Sequence, residues 1–128
     1  MINNEYTLTN HLVANIDKYF PECDILIARD EPIYGYLSNL GVPDLIYRSK
    51  NNTIYNIEVK FLNFQNSGRN ACTTRTKHRK KVIQQALKYQ RLIAVKYGIS
   101  LRDVIPCVFT NDPGLRGKKG VISKSFIN

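Results

Sequence analysis

With 128 residues, 43% of them apolar, the chain has the length and composition of one globular domain, 1–128, large enough to bury a core. No apolar run approaches the length of a membrane-spanning helix, and MINNEYTLTN lacks the basic-then-apolar pattern of a signal peptide. The formal charge is +9 and one-sided: residues 1–58 hold 8 acids and 4 bases, and residues 59–128 hold 15 bases and 2 acids. A surface so polarised attracts a polyanion, and nucleic acid is the usual one. Cys23, Cys72 and Cys107 are widely spaced with no C-x-x-C pair, which implies a reducing cytoplasm and ordinary thiols.

Asn4 to Phe20 reads as one amphipathic helix, because Leu8, Leu12, Ile16 and Tyr19 recur at helical spacing. Asn3 or Asn4 supplies the cap, Pro21 lies just past the end, and Glu5 sits in the first turn. His11 belongs to the polar face. Cys23 to Ala28 is a short apolar strand ended by Arg29-Asp30-Glu31-Pro32. Ile33 to Leu40 reads as a strand or an ordered loop, in which Tyr36 and Ser38, like Arg29, are within reach of a bound phosphate.

Gly41 to Phe61 is the stretch with the sharpest prediction. Leu45-Ile46-Tyr47 and Thr53-Ile54-Tyr55 are strand-forming runs, and Ser49-Lys50-Asn51-Asn52 is turn chemistry. A three-residue loop over 50–52 pairs Ser49 with Thr53 and so places Asp44 opposite Glu58. Opposed residues share a face with Cβ atoms about 4.5–5.5 Å apart, and period two adds Lys60 to that face. Ile57, Val59 and Phe61 then point the other way, into the core. A two-residue loop would send Asp44 to the wrong side.

Two carboxylates this close are costly as bare anions, and a hard divalent cation relieves the repulsion. Mg²⁺ favours one or two carboxylates, several waters and phosphate oxygens. Lys60 would stand beside the ion, placed to position or deprotonate an attacking water or to stabilise the transition state.

Leu62 to Thr76 is polar, rich in Gly, Asn, Ser and Thr, and aperiodic, so it reads as a long flexible flap carrying Arg69 and Arg75, with Asn63 and Gln65 near the site. Lys77 to Tyr97 is the second long helix, capped by Thr74 or Thr76 and closed by Gly98. Val82, Ile83, Ala86, Leu87, Ile93 and Ala94 form its buried stripe. Lys77, Arg79, Lys80 and Lys81 crowd its first turns against the helix dipole, a placement that phosphate binding accounts for. Gln85 and Tyr89 lie four apart on the edge of the stripe. Val104 to Thr110 is a buried strand, followed by the turn Asn111–Gly114, a basic loop to Lys119, and an edge strand or frayed tail over 121–127.

Pro43-Asp44 followed by Glu58-Val59-Lys60 resembles the signature of the PD-(D/E)XK nuclease superfamily. The downstream Gln85-x-x-x-Tyr89 resembles the QxxxY element of its RecB-like and Cas4-like branch. The resemblance spans residues 5–110, most firmly 41–89. It implies an α/β fold with a restriction-endonuclease-like core, a mixed central β-sheet flanked by helices. It also implies a metal-dependent deoxyribonuclease, exo- or endo-acting, in DNA recombination or repair. By match, Asp44, Glu58 and the Val59 carbonyl would bind Mg²⁺, with Mn²⁺ as a substitute. Lys60 would be the catalytic lysine, and Gln85 and Tyr89 would hold the active site and the DNA backbone. Glu5 either completes the metal site or simply complements the helix dipole. Four-cysteine iron–sulfur clusters occur in some relatives, but three dispersed cysteines imply none here. Gly41-Val42-Pro43-Asp44 and the small size also resemble archaeal Holliday junction resolvases, which are homodimers, and the VRR-NUC group. From another class, the alternatives are a non-catalytic nucleic-acid-binding module and a protein whose basic helix binds an acidic partner.

Overall fold

The computed structural model describes residues 1–35, 38–63 and 69–126, with the side chains at 38 and 69–73 left out. Three helices, α1 (Glu5–Ala14), α2 (Ile16–Tyr19) and α3 (Arg69–Tyr97), accompany five strands, β1 (Cys23–Arg29), β2 (Leu45–Ser49), β3 (Ile54–Lys60), β4 (Val104–Thr110) and β5 (Ile122–Ser125). The strands lie side by side in chain order. β1, β2 and β3 run antiparallel, β3, β4 and β5 run parallel, and α3 is the crossover from β3 to β4. Helices cover both faces of this mixed sheet.

The N-terminal helix begins where its cap dictates. The Asn4 side chain accepts the Thr7 amide at 2.8 Å, and the Thr7 hydroxyl accepts the Asn4 amide at 3.2 Å, a reciprocal capping box. The single helix expected over 4–20 is instead broken at Asn15, whose backbone leaves helical geometry at φ −127° and ψ 32°. The Asn15 amide group donates to the His11 carbonyl at 2.9 Å, the competition with the backbone that lowers asparagine's helix propensity.

The hairpin has the predicted register: Leu45 opposes Ile57, Tyr47 opposes Tyr55, and the Ser49 amide donates to the Thr53 carbonyl at 2.8 Å. Lys50, Asn51 and Asn52 form the loop, and Asn52 takes the left-handed conformation (φ 67°) that asparagine tolerates best after glycine. Period two then sorts the strands onto two faces. Leu45, Tyr47, Ile57, Val59, Cys107 and Phe109 pack against Leu8, Leu12 and Phe20 of the N-terminal segment. Ile46, Ile54 and Val104 pack against Tyr89, Ile93 and Ala94 of α3, and Val108 against Val82, Ile83 and Ala86. Glu58 and Lys60 belong to the α3 face by the same alternation.

One other expectation is corrected. Residues 69–76, expected as part of a flap, are the first turns of α3, so Thr74 and Thr76 lie inside the helix rather than capping it. Helix propagation is cheap once a packed segment has nucleated it, and that outweighs the poor propensities of Asn70, Thr73 and Thr74. Of the strand or ordered loop expected over Ile33 to Leu40, the described residues show the loop, with a turn and a short 3₁₀ helix over Ser38–Leu40. The tail, expected as an edge strand or a frayed end, is the edge strand β5. Tyr36 and Gln65 fall outside the described residues. Gly98 closes α3 as expected, at φ 62°, with the Ile99 amide donating back to the Ala94 carbonyl at 3.0 Å. Among the described residues no helix is long and apolar enough to cross a membrane.

Candidate active site

Asp44 stands one residue before β2, where the β2–β3 ladder ends. Its carboxylate takes over the ladder's work and accepts the Val59 amide at 2.7 Å. Glu58 reciprocates, accepting the Asp44 amide at 3.1 Å through Oε2. Each acid therefore holds the backbone of the strand that carries the other. In an extended strand the carbonyl of a residue leaves on the same side as its amide, so the Val59 carbonyl also faces Asp44. Lys60, one alternation beyond Glu58, places Nζ 3.4 Å from Oε1 of Glu5 in the first turn of α1. Residues from the first helix and from the end of β3 thus meet at the open end of the hairpin.

Glu58 is 3% exposed. Burial, then the neighbouring Asp44 charge, pushes its carboxyl up to about 9, against the opposing pull of the Asp44 amide. Burial also raises the Asp44 carboxyl to about 6, although the hydrogen bond from the Val59 amide favours its charged form. Asp30 and Glu5 add their repulsion to both. Asp30 was not singled out by its sequence context. Its amide donates to the Asp44 carbonyl at 2.9 Å, and its backbone is held left-handed at φ 53°.

A cleft of about 300 Å³ opens over these groups, lined by Glu5, Asp44, Glu58, Val59 and Lys60 on one side and by α3 on the other. A second recess of about 320 Å³, with Tyr6, Arg29 and Asp30 in its wall, shares Glu5, Asp44 and Val59 with the first. The acids stand between two openings to solvent. The α3 wall consists of His78, Lys81, Val82 and Gln85. His78 was missed, although it lies seven residues before Gln85 and so two turns along the same face. Its Nδ1 is buried with no hydrogen-bond partner among the described residues.

Gln85 and Tyr89 are joined by a 3.1 Å hydrogen bond from Nε2 to the tyrosine hydroxyl. Gln85 reaches the cleft, whereas Tyr89 is 5% exposed and packs in the core beneath Gly41. A Cβ on Gly41 would come within 2.6 Å of the Tyr89 ring, and φ at Gly41 is 134°. The glycine therefore lets the segment leading to Asp44 lie directly on the tyrosine.

The remaining predicted residues separate. Lys81 lines the cleft. Lys77 and Lys80 are exposed elsewhere on α3. Arg79 is tied to Asp112 by two hydrogen bonds, of 2.6 and 2.9 Å. Burial alone would raise the Asp112 carboxyl; Arg79 and the Gly114 amide outweigh it and hold the group below its ordinary range. Arg75 lies within α3, and the Arg69 side chain is outside the described residues. Arg29 donates to Asn10 at 2.5 Å, and His11 pairs with Tyr19 at 2.9 Å, away from the acids. Cys23 and Cys107 are buried free thiols, and burial pushes Cys23 up to about 12.

No protein-family model matches the chain, and no curated protein matches it in sequence. Two solved structures are similar in fold. One is EndoMS in the structure of an EndoMS–dsDNA2 complex, with TM-score 0.61 and 14% identity over 98% of this chain and 45% of that one. Another is a repair endonuclease from Pyrococcus abyssi, with TM-score 0.58 and 17% identity over 98% of this chain and 48% of that one. The chain spans just under half the length of each. At such identities the likeness concerns architecture alone: the chain has a restriction-endonuclease-like α/β core, a mixed five-stranded sheet flanked by helices.

Proposed function

We propose that this chain is a metal-dependent deoxyribonuclease that hydrolyses DNA phosphodiester bonds. The observation that carries the reading is the Asp44–Glu58 pair, half-buried and buried respectively, mutually locked through backbone amides, and open to a cleft that also holds Lys60. Burying two carboxylates against each other costs free energy unless a cation compensates. The likeness in fold to EndoMS, solved in complex with dsDNA, and to a repair endonuclease supports a DNA substrate.

The donor set fits Mg²⁺, with Mn²⁺ as a substitute. Asp44, Glu58, the Val59 carbonyl and, on the same wall of the cleft, Glu5 offer hard oxygens. Among the described residues no group of three or more His, Cys, Asp or Glu side chains forms a ready-made cage. Mg²⁺ needs only one or two carboxylates, since it keeps several waters and shares substrate phosphates. When bound, the ion would lower the pKa of a water and neutralise phosphate charge. The protein's own part is positional. The Asp44 and Glu58 carboxylates are held rigid by the amides they accept. The Lys60 ammonium stands at the cleft, where it can orient the attacking water and stabilise negative charge developing on phosphorus oxygens. The hydrogen bond from Gln85 to Tyr89 supports the RecB-like and Cas4-like branch, with Gln85 presented to the substrate backbone by a buried tyrosine. A Holliday junction resolvase is the alternative within the same chemistry.

The test is incubation with linear duplex, circular single-stranded and four-way-junction DNA in Mg²⁺, Mn²⁺ or EDTA. Metal-dependent cutting that Lys60→Ala abolishes is the expected result. Salt-sensitive binding without cutting would leave a binding module in its place.

A further inference from the structure

The loop between β4 and β5 is a built object. The Asp112 carboxylate accepts the Gly114 amide at 2.8 Å and the Arg79 guanidinium from α3. The Leu115 carbonyl accepts the Ser123 hydroxyl at 3.2 Å, and the Val121 amide donates to the Lys118 carbonyl at 3.0 Å. Leu115 and Val121 are buried against Val82, Ile83 and Val108. A Cβ on Gly114 would collide with Arg79, and one on Gly117 would lie 2.3 Å from the Val121 carbonyl oxygen. Lys119 is held left-handed at φ 56°, a conformation that costs a non-glycine residue free energy. What this fixed loop presents is Arg116, Lys118 and Lys119, all exposed.

These three face Lys80 and Gln84 of α3 across a groove of about 540 Å³. Among the described residues none of Lys80, Arg116, Lys118 and Lys119 makes an ion pair. Asp112, the acid nearest in the chain, is already neutralised by Arg79. The groove therefore presents uncompensated positive charge on a rigid frame.

Its position relative to the cleft is set by helix geometry. Lys81 and Gln85 line the cleft, and Lys80 and Gln84 line the groove. A step of one residue turns a helix by about 100°. Counted along the helix at that step, the cleft set His78, Lys81, Val82 and Gln85 centres roughly 180° from the groove set Arg79, Lys80, Ile83 and Gln84, so the two openings flank the middle of α3 on opposite sides, with Lys77 exposed on the outward ridge between them. A helix with its side chains is about 10–12 Å across, and the major groove of B-DNA is about 12 Å wide.

We infer that the groove between α3 and the β4–β5 loop seats the phosphates of the second strand of a duplex whose first strand enters the carboxylate cleft. The inference rests on the nuclease reading for the first strand only. α3 lies along the major groove with a phosphate row on either side. The substrate class is then double-stranded DNA.

The experiment is fluorescence anisotropy of the full chain in EDTA, so that binding is read without cleavage. The probes are a 20-base-pair duplex and the single strand of the same sequence, titrated between 50 and 200 mM salt. In the triple variant Arg116→Ser, Lys118→Ser, Lys119→Gly, duplex affinity falls at least ten-fold and the ratio of duplex to single-strand affinity falls with it. The slope of log affinity against log salt drops by about 2–3, since each phosphate that is no longer neutralised removes about 0.9. Lys119→Gly also removes the left-handed strain, so an unchanged or raised Tm confirms that the variant folds. Lys80→Ser, on the exposed helix surface, gives an independent reading and lowers the same ratio. Equal losses for duplex and single strand, or no loss, overturn the inference. Absence of duplex binding by the parent chain overturns it whatever the cutting assay shows, and cutting without the predicted ratio change overturns it while sparing the nuclease reading.

Discussion

Glu58→Gln is the most informative single substitution. The glutamine oxygen can still accept the Asp44 amide, so the change removes charge and a proton while keeping the shape. In the folded protein the Glu58 carboxyl is raised from an ordinary 4.5 to about 9. A carboxyl raised on folding contributes stability that is fully present below its unfolded pKa. That stability is lost as pH climbs toward the folded value. While the folded value stays well above neutrality, the loss at pH 7 depends only on the roughly 2.5 units separating pH 7 from the unfolded group. At about 1.4 kcal/mol per unit this is roughly 3 kcal/mol, a ceiling because Asp44 titrates with it. At pH 5 the same reasoning leaves under about 1 kcal/mol. Glu58→Gln does not titrate, so in EDTA the variant is the more stable protein at pH 7. For a domain of this size the gain is on the order of 10 °C in Tm. Thermal unfolding at pH 5, 7 and 8 reads the gap, which widens with pH. Mg²⁺ narrows the gap: at 100 times Kd it stabilises the parent by about 2.7 kcal/mol, while the variant, short of one ligand charge, gains less. A gap that is constant or shrinking from pH 5 to 8 would refute the reasoning about burial. Equal stabilisation of both proteins by Mg²⁺ would refute the role given to Glu58 as a ligand.

Three further outcomes follow from particular side chains. Gly41→Ala combines a positive φ with a Cβ placed 2.6 Å from the Tyr89 ring, so it destabilises by more than about 1–3 kcal/mol in denaturant titration and lowers cutting by displacing Asp44. Tyr89→Phe removes only the acceptor of the Gln85 amide, costs about 1 kcal/mol, and reduces the cutting rate more than DNA affinity, which single-turnover kinetics separates. Arg79→Ala strands the nearly fully buried Asp112 carboxylate and costs about 3–5 kcal/mol, much of which the second substitution Asp112→Asn restores; a double-mutant cycle checks the coupling.

The hairpin was legible in the sequence because everything that sets it is local. A loop of the right length, two β-branched runs and a period of two are enough to bring Asp44 opposite Glu58 and to add Lys60 to their face. The buried stripe of α3 and the spacing of Gln85 and Tyr89 were readable for the same reason, since helical period needs no partner to reveal it. Local signals failed where tertiary packing overrode composition. The polar stretch before Lys77 looks like a loop, yet from Arg69 onward it is helix, and Asn15 breaks what the apolar spacing alone would continue.

Other features had no local signal at all. Asp30 joins the carboxylates because β1 pairs with β2, and His78 enters the cleft because α3 lies across β3. Arg79 reads from sequence as one of four similar cations, but a partner 33 positions away ties it to the β4–β5 loop. Residue type and spacing determined which groups can do chemistry and which face of their own element they occupy. Only the packed chain decided which faces meet, because the approach of distant segments depends on sheet order and helix placement, which periodicity does not encode.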